Sequence, residues 1–127
     1  MFNQNNSEKN INNLVIFKGV FWGLIILLLI TVLMSIFSTF IFSINTATLN
    51  IILLLEVVII LTIIGIYVAR RVDRNGWLNG GLAGIIYMII LILLGTITMP
   101  ISLGRIIFLV LIGLFIGSIG GIIGKNI

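Results

Sequence analysis

Four stretches of this chain are apolar at almost every position, and short polar segments set them apart: Gly19–Phe42, Leu49–Ala69, Leu78–Thr98 and Ile106–Ile123. None alternates with a strand's period of two, and none keeps a polar face as a helix on a water-soluble domain would. Runs that are apolar all round and about twenty residues long are predicted transmembrane helices. The first run has 24 residues, and at a helical rise it reaches about 36 Å. That exceeds the hydrocarbon thickness, so tilt is expected. A cleaved signal peptide would be shorter and end in small residues at −3 and −1, whereas Asn45 stands at −3 to Ala47. The run is therefore read as an uncleaved span.

The polar segments define the rest of the plan. Residues 1–13 form an Asn-rich polar tail, and SINTAT (Ser43–Thr48) supplies the Ser, Asn and Thr that cap helices and make turns. RRVDRNGW (Arg70–Trp77) is the most charged segment, with Asn75–Gly76 as a turn signal, and MPISLGR (Met99–Arg105) holds the only proline. Gly124–Ile127 reads as a stub. The expected fold is all-α: residues 1–127 as one integral membrane domain of four transmembrane helices in a glycine-packed bundle.

Composition agrees with this pattern. The chain is 61% hydrophobic and 8% charged, with a mean hydropathy of +1.39. A water-soluble domain needs roughly 25% charged residues to wet its surface. Cysteine and histidine are absent and only three acids are present (Glu8, Glu56, Asp73). Disulfides, thiolate metal sites and the usual neutral-pH acid–base group are thereby excluded. No phosphate-binding loop, serine triad, paired carboxylates or metal-ligand spacing stands out, so no cofactor is expected and an enzyme is the least favoured class. The net charge of +4 does not indicate nucleic acid, because the cations flank apolar runs instead of forming a patch. Lys9, Lys18, Arg70, Arg71, Arg74 and Lys125 fall on one side of a four-span layout and only Arg105 on the other. The positive-inside rule then places both termini and the arginine loop in the cytoplasm. Trp22 and Trp77 lie near that interface, where indole rings anchor.

Glycine is the second signal. Helices in lipid gain little hydrophobic energy by touching, so association depends on small residues that let backbones approach. Gly76, Gly80, Gly84, Tyr87, Leu91, Gly95 and Thr98 share a stripe about 100° wide on the third run, and Gly113, Gly117, Gly120, Gly121 and Gly124 share one on the fourth. Gly19 and Gly23 open the first run, and Gly65 with Ala69 closes the second. Most of these lie on the arginine side. The bundle is expected to be tight there and looser at the far end, where Phe37, Phe40, Phe42 and Phe108 sit. A pore lining or ligand groove is the competing interpretation of the stripe; helix packing is preferred, within one chain or between chains.

One acid lies inside a span. Glu56 is seven residues into the second run, about 10 Å deep, where a carboxylate is costly and is expected to face the bundle, pair, or carry a proton. Ile60, Ile63 and Tyr67 share its helical face; Thr62, Gly65 and Ala69 lie on another. Thr31, Ser35 and Ser38 form a polar stripe on the first run that would meet it, and Arg105 is a second candidate partner. Glu56 is thus either a satisfied structural acid or a proton or ion site.

The stretches "RRVDRNGWLNGGLAGIIY" and "GSIGGIIGKNI" resemble the YrzE-type family of small four-span putative membrane proteins from Firmicutes. The likeness is carried by Gly76, Trp77, Leu78, Gly80, Gly81, Gly84 and Tyr87, and by Gly120, Gly121 and Gly124. Where that family has a glycine pair before the basic loop, this chain has Gly65 followed by Ile66, and Glu56 is not part of the shared pattern. The resemblance implies four spans, no assigned activity, and a faint link to protein-translocation components. The favoured function is a non-enzymatic membrane protein acting by helix association, as a homo-oligomer or as an accessory subunit. The alternative is a small proton-coupled transporter using Glu56. Four-span multidrug carriers have their acid in the first span among aromatics, and small fluoride channels favour polar and aromatic pore residues, so neither matches closely.

Overall fold

The computed structural model describes residues 11–40 and 45–127. Most of the polar tail, with Lys9, and the residues around Phe42 and Ser43 lie outside the described residues. Four helices follow one another: α1 (Asn13–Phe40), α2 (Thr46–Arg70), α3 (Gly76–Thr98) and α4 (Leu103–Asn126), with no strand among the described residues. Each is long and apolar enough to cross a membrane. In hydrocarbon every peptide group must be paired internally, which a continuous helix achieves. By the length and composition of its helices, the chain is a multi-pass membrane protein.

The helices extend past the apolar runs because their polar ends are capped locally. Asn12 starts α1 six residues before Lys18: its Oδ1 accepts from the Val15 amide at 3.4 Å and its carbonyl from Ile16 at 3.1 Å. At the start of α2, the Asn45 side chain accepts from the Ala47 amide, so Thr46–Thr48 are helical and the link is shorter than SINTAT suggests. Asn75 enters α3 in the left-handed region (φ 53°, ψ 48°), a conformation that asparagine tolerates better than most residues. Beyond Pro100, α4 begins at Leu103 and runs through the expected stub to Asn126. There Lys125 donates from Nζ to the carbonyls of Val72 (2.7 Å) and Asp73 (2.9 Å), fastening the end of α4 to the arginine loop.

The packing is lopsided. α2 and α3 contact each other and both contact α4, whereas α1 rests on α2 and α3 and does not touch α4. Glycines mark the closest approaches. A Cβ at Gly80 would lie 2.5 Å from the Gly117 carbonyl oxygen, one at Gly121 2.5 Å from that of Gly76, and one at Gly113 2.6 Å from that of Gly84. On the other flank of α4, a Cβ at Gly120 would come 2.5 Å from the Thr62 carbonyl oxygen and one at Gly124 2.6 Å from that of Ile66. Gly65 faces Gly117, Gly120 and Gly121. Gly19 and Gly23 instead face side chains of α2, namely Val68 and Ile64.

The core lies toward the end that carries the arginine loop. It is built from Ile16 and Val20 of α1, Ile60, Leu61, Ile64 and Val68 of α2, Ala83, Tyr87 and Met88 of α3, and Val72 of the loop. In α1 the buried residues stop at Gly23, and in α4 they start only at Gly113. At the far end α2, α3 and α4 enclose an apolar cleft of about 570 Å³, lined by residues such as Leu54, Leu91, Ile101, Leu109 and Phe115.

Candidate functional site

Glu56 falls ten residues past the first residue of α2. At a helical rise this is about 15 Å from the helix start, deeper than the apolar run alone implies and close to mid-membrane. It is 7% exposed. The Thr31 hydroxyl of α1 donates to Glu56 Oε1 at 3.1 Å. Glu56 Oε2 is buried and has no hydrogen-bond partner. The same is true of the Tyr87 hydroxyl on α3, whose side chain is fully buried. Three helices thus contribute one polar group each to an apolar interior.

The other expected partners of Glu56 do not reach it. Ser35 and Ser38 line a shallow groove of about 220 Å³ that runs from Thr31 past Leu49 and Leu53 toward the far end, and Glu56 does not line it. Arg105 is exposed on α4, and no ion pair joins it to Glu56. The reason is the face on which Glu56 sits. With Ile52, Ile59 and Ile63 it lines a lateral groove closed by Ile26, Ile30 and Met34 of α1. α4 occupies the opposite flank of α2, against Thr62, Gly65 and Ile66.

An unpartnered buried hydroxyl costs about 1–3 kcal/mol, and such groups call for an explanation in the folded protein. Glu56 can use its free oxygen as an acceptor, or as a donor when the carboxyl is neutral. Tyr87 can do both. Each can therefore take a hydrogen bond from, or give one to, a small polar species that reaches it. Among the described residues no group of three His, Cys, Asp or Glu side chains is placed to hold a metal ion.

A second polar link escaped the sequence reading. Asn79 is fully buried near the start of α3; its Oδ1 accepts from the Asn12 amide (3.0 Å), and its Nδ2 donates to the Asn75 carbonyl (3.0 Å). It ties the start of α1 to the turn before α3. The available signal was an amide among glycines, in a helix whose other polar residues lie at its far end. Of the topology residues, Lys18, Arg70, Arg71, Arg74 and Lys125 lie at the close-packed end, and Arg71 stacks over Tyr67 with its guanidinium carbon 4.4 Å from the ring centroid.

No curated protein and no solved structure matches the chain. A family model described as "Protein of unknown function (DUF3792)" matches residues 12–124. That match takes in α1 to α3, all of α4 but its last two residues, and Asn12, Thr31, Glu56, Asn79 and Tyr87, so the chain belongs to the DUF3792 family.

Proposed function

We propose that the chain is a non-enzymatic accessory subunit of a larger membrane assembly in a bacterial cell membrane. Its termini and arginine loop lie in the cytoplasm, the side to which its cations assign it. The observation that carries this reading is the unequal fixing of the helices. The glycine faces of α2, α3 and α4 are turned on one another, so they make one compact unit and are not free to dock a partner. α1 has all its buried residues in its first half, is tied to α2 beyond them by the Thr31–Glu56 hydrogen bond, and has 11% of its apolar window buried against 39% for α3. Its outward face is the surface offered to a partner helix. The YrzE-type resemblance and a Firmicutes source belong to the same proposal, supported by the glycine and arginine motifs; the link to translocation components suggests where to look for the partner.

In-membrane crosslinking from Phe21 and Leu28, both exposed on α1, followed by mass spectrometry, tests the reading. A stoichiometric foreign membrane protein captured through α1 is expected. A homo-oligomer with no foreign partner would overturn it.

A second reading rests on one observation, the buried Glu56 Oε2 that has no hydrogen-bond partner. In it the chain is a small proton-coupled transporter with Glu56 as its proton site. Proton flux into liposomes that Glu56→Gln abolishes without altering assembly would establish this reading. The absence of flux in the wild-type protein would remove it.

A further inference from the structure

The crease between α1 and α2 is open to the bilayer along most of its length. At the arginine end it forms a groove of about 380 Å³, walled by Trp22 and Ile26 of α1 and by Ile63, Tyr67 and Arg71 of α2, with Gly19 and Gly23 at its floor. Ile26 and Ile63 also line the next groove, of about 230 Å³, so the two form one trench that continues to Ile30 and Ile59. The trench exists because Gly19 and Gly23 bring the α1 backbone onto Val68 and Ile64 while contributing no side chains to cover the flank.

Three features indicate an occupant. Between Arg71 and Ile59 the trench follows α2 for about 18 Å. That is the depth of one membrane leaflet, roughly 15 Å. Its walls between Arg71 and Ile59 are apolar, with Arg71, exposed and stacked on Tyr67, at one end and Glu56 lining the groove beyond Ile59 at the other. Lys18 lies one helical turn from Trp22, beside Gly19, which packs against Tyr67 and Val68. It stands at the same end of the bundle as Arg71, just outside the groove lining, and is also exposed. Among the described residues neither cation is paired with a carboxylate. A molecule with one anionic head and a long apolar tail satisfies all three features, and the surrounding bilayer contains such molecules.

We propose that the α1–α2 trench binds a single anionic phospholipid, with its phosphate between Arg71 and Lys18 and one acyl chain lying along Gly23, Ile26 and Ile63. The inference requires only that the helices span a bilayer; it does not depend on the accessory or transport reading. A lipid in this position completes the contact of α1 with α2, which the side chains alone leave narrow.

Native mass spectrometry of the full-length protein, titrated with phosphatidylglycerol or phosphatidylcholine, tests the site. One phosphatidylglycerol retained per chain, in preference to phosphatidylcholine, is expected. Arg71→Gln and Lys18→Gln should each weaken retention about fivefold. Arg105→Gln, the same charge change at the opposite end, should not. Ile63→Trp fills the trench from a lipid-facing position and should abolish retention while leaving unfolding in lipid-free detergent unchanged. Four results would each overturn the proposal: equal retention of the two lipids, an equal effect of Arg105→Gln, retention that survives Ile63→Trp, or a dimer crosslinked through Ile63.

Discussion

Replacing Gly80 with alanine adds one methyl group where there is no room for it. Its Cβ would lie 2.5 Å from the Gly117 carbonyl oxygen and 3.0 Å from Gly121 Cα. Both atoms are backbone, so no side-chain rotation relieves the contact. Ordinary contact begins at 3.4 Å, and α3 and α4 must separate by about 0.9 Å to reach it. A gap of that size forfeits about a quarter to a half of the dispersion well at every contact it opens, and overpacking of a fixed core costs about 1–3 kcal/mol. Alanine also gains about 1 kcal/mol over glycine in helix propensity, which would mask part of the loss. Gly95→Ala supplies the reference, since its Cβ would meet only Ile101 Cδ1 at 3.6 Å. The difference between the two variants isolates the clash and should be about 1–3 kcal/mol. Reversible unfolding in mixed detergent micelles, followed by tryptophan fluorescence, measures it. The double variant Gly80→Ala/Gly117→Ala should lose less than the sum of the singles, because both methyl groups press on the same contact. If Gly80→Ala unfolds with Gly95→Ala, within about 0.5 kcal/mol, the helices are not locked at these glycines and the reasoning fails.

Three further outcomes follow from the polar contacts. Asn79→Leu removes the acceptor for the Asn12 amide and the donor to the Asn75 carbonyl; it should destabilise by about 1–3 kcal/mol and speed hydrogen exchange at Asn12. Lys125→Met keeps an apolar stem but loses the bonds to the Val72 and Asp73 carbonyls, and should accelerate exchange across residues 70–75, with stability reduced by about 1 kcal/mol. Thr31→Val strips Glu56 of its one donor and should cost about 1 kcal/mol in the same unfolding assay, whereas Ser35→Ala and Ser38→Ala, which line a groove with Thr31 but make no bond to Glu56, should be neutral.

Much of the architecture is legible in the hydrophobic pattern, because a backbone in hydrocarbon has few options besides a helix. The helix ends are less legible. Asn12, Asn45 and Lys125 extend helices into polar sequence through contacts that a hydropathy pattern does not record. The surroundings of Glu56 show where periodicity suffices and where it stops. It separates the Glu56–Ile60–Ile63 face from the Thr62–Gly65 face, and the structure places the first toward α1 and the second toward α4. With α4 on the second flank Arg105 is out of reach, a placement that the periodicity of α2 alone does not give. Choosing Thr31 over Ser35 and Ser38 needs the relative height of α1 and α2, which is set by Gly19 against Val68 and Gly23 against Ile64. The unpartnered Tyr87 hydroxyl could not be anticipated from its place in a glycine stripe, because a stripe assigns a face and not a partner.

The central claim is that the glycine faces of α3 and α4 meet within one chain. The protein contains no cysteine, so a designed pair reports without background. A Cβ at Gly81 would press on Ser118 Oγ at 2.5 Å, so the two positions are neighbours and cysteines placed there can meet once their side chains adjust. Oxidation of Gly81→Cys/Ser118→Cys in native membranes should give an intramolecular bond and a monomer on a non-reducing gel. Two differently tagged copies, one carrying Gly81→Cys and the other Ser118→Cys, should not crosslink. Efficient crosslinking between the tagged copies, with no bond inside the double variant, would show that these faces join separate chains and would contradict the account.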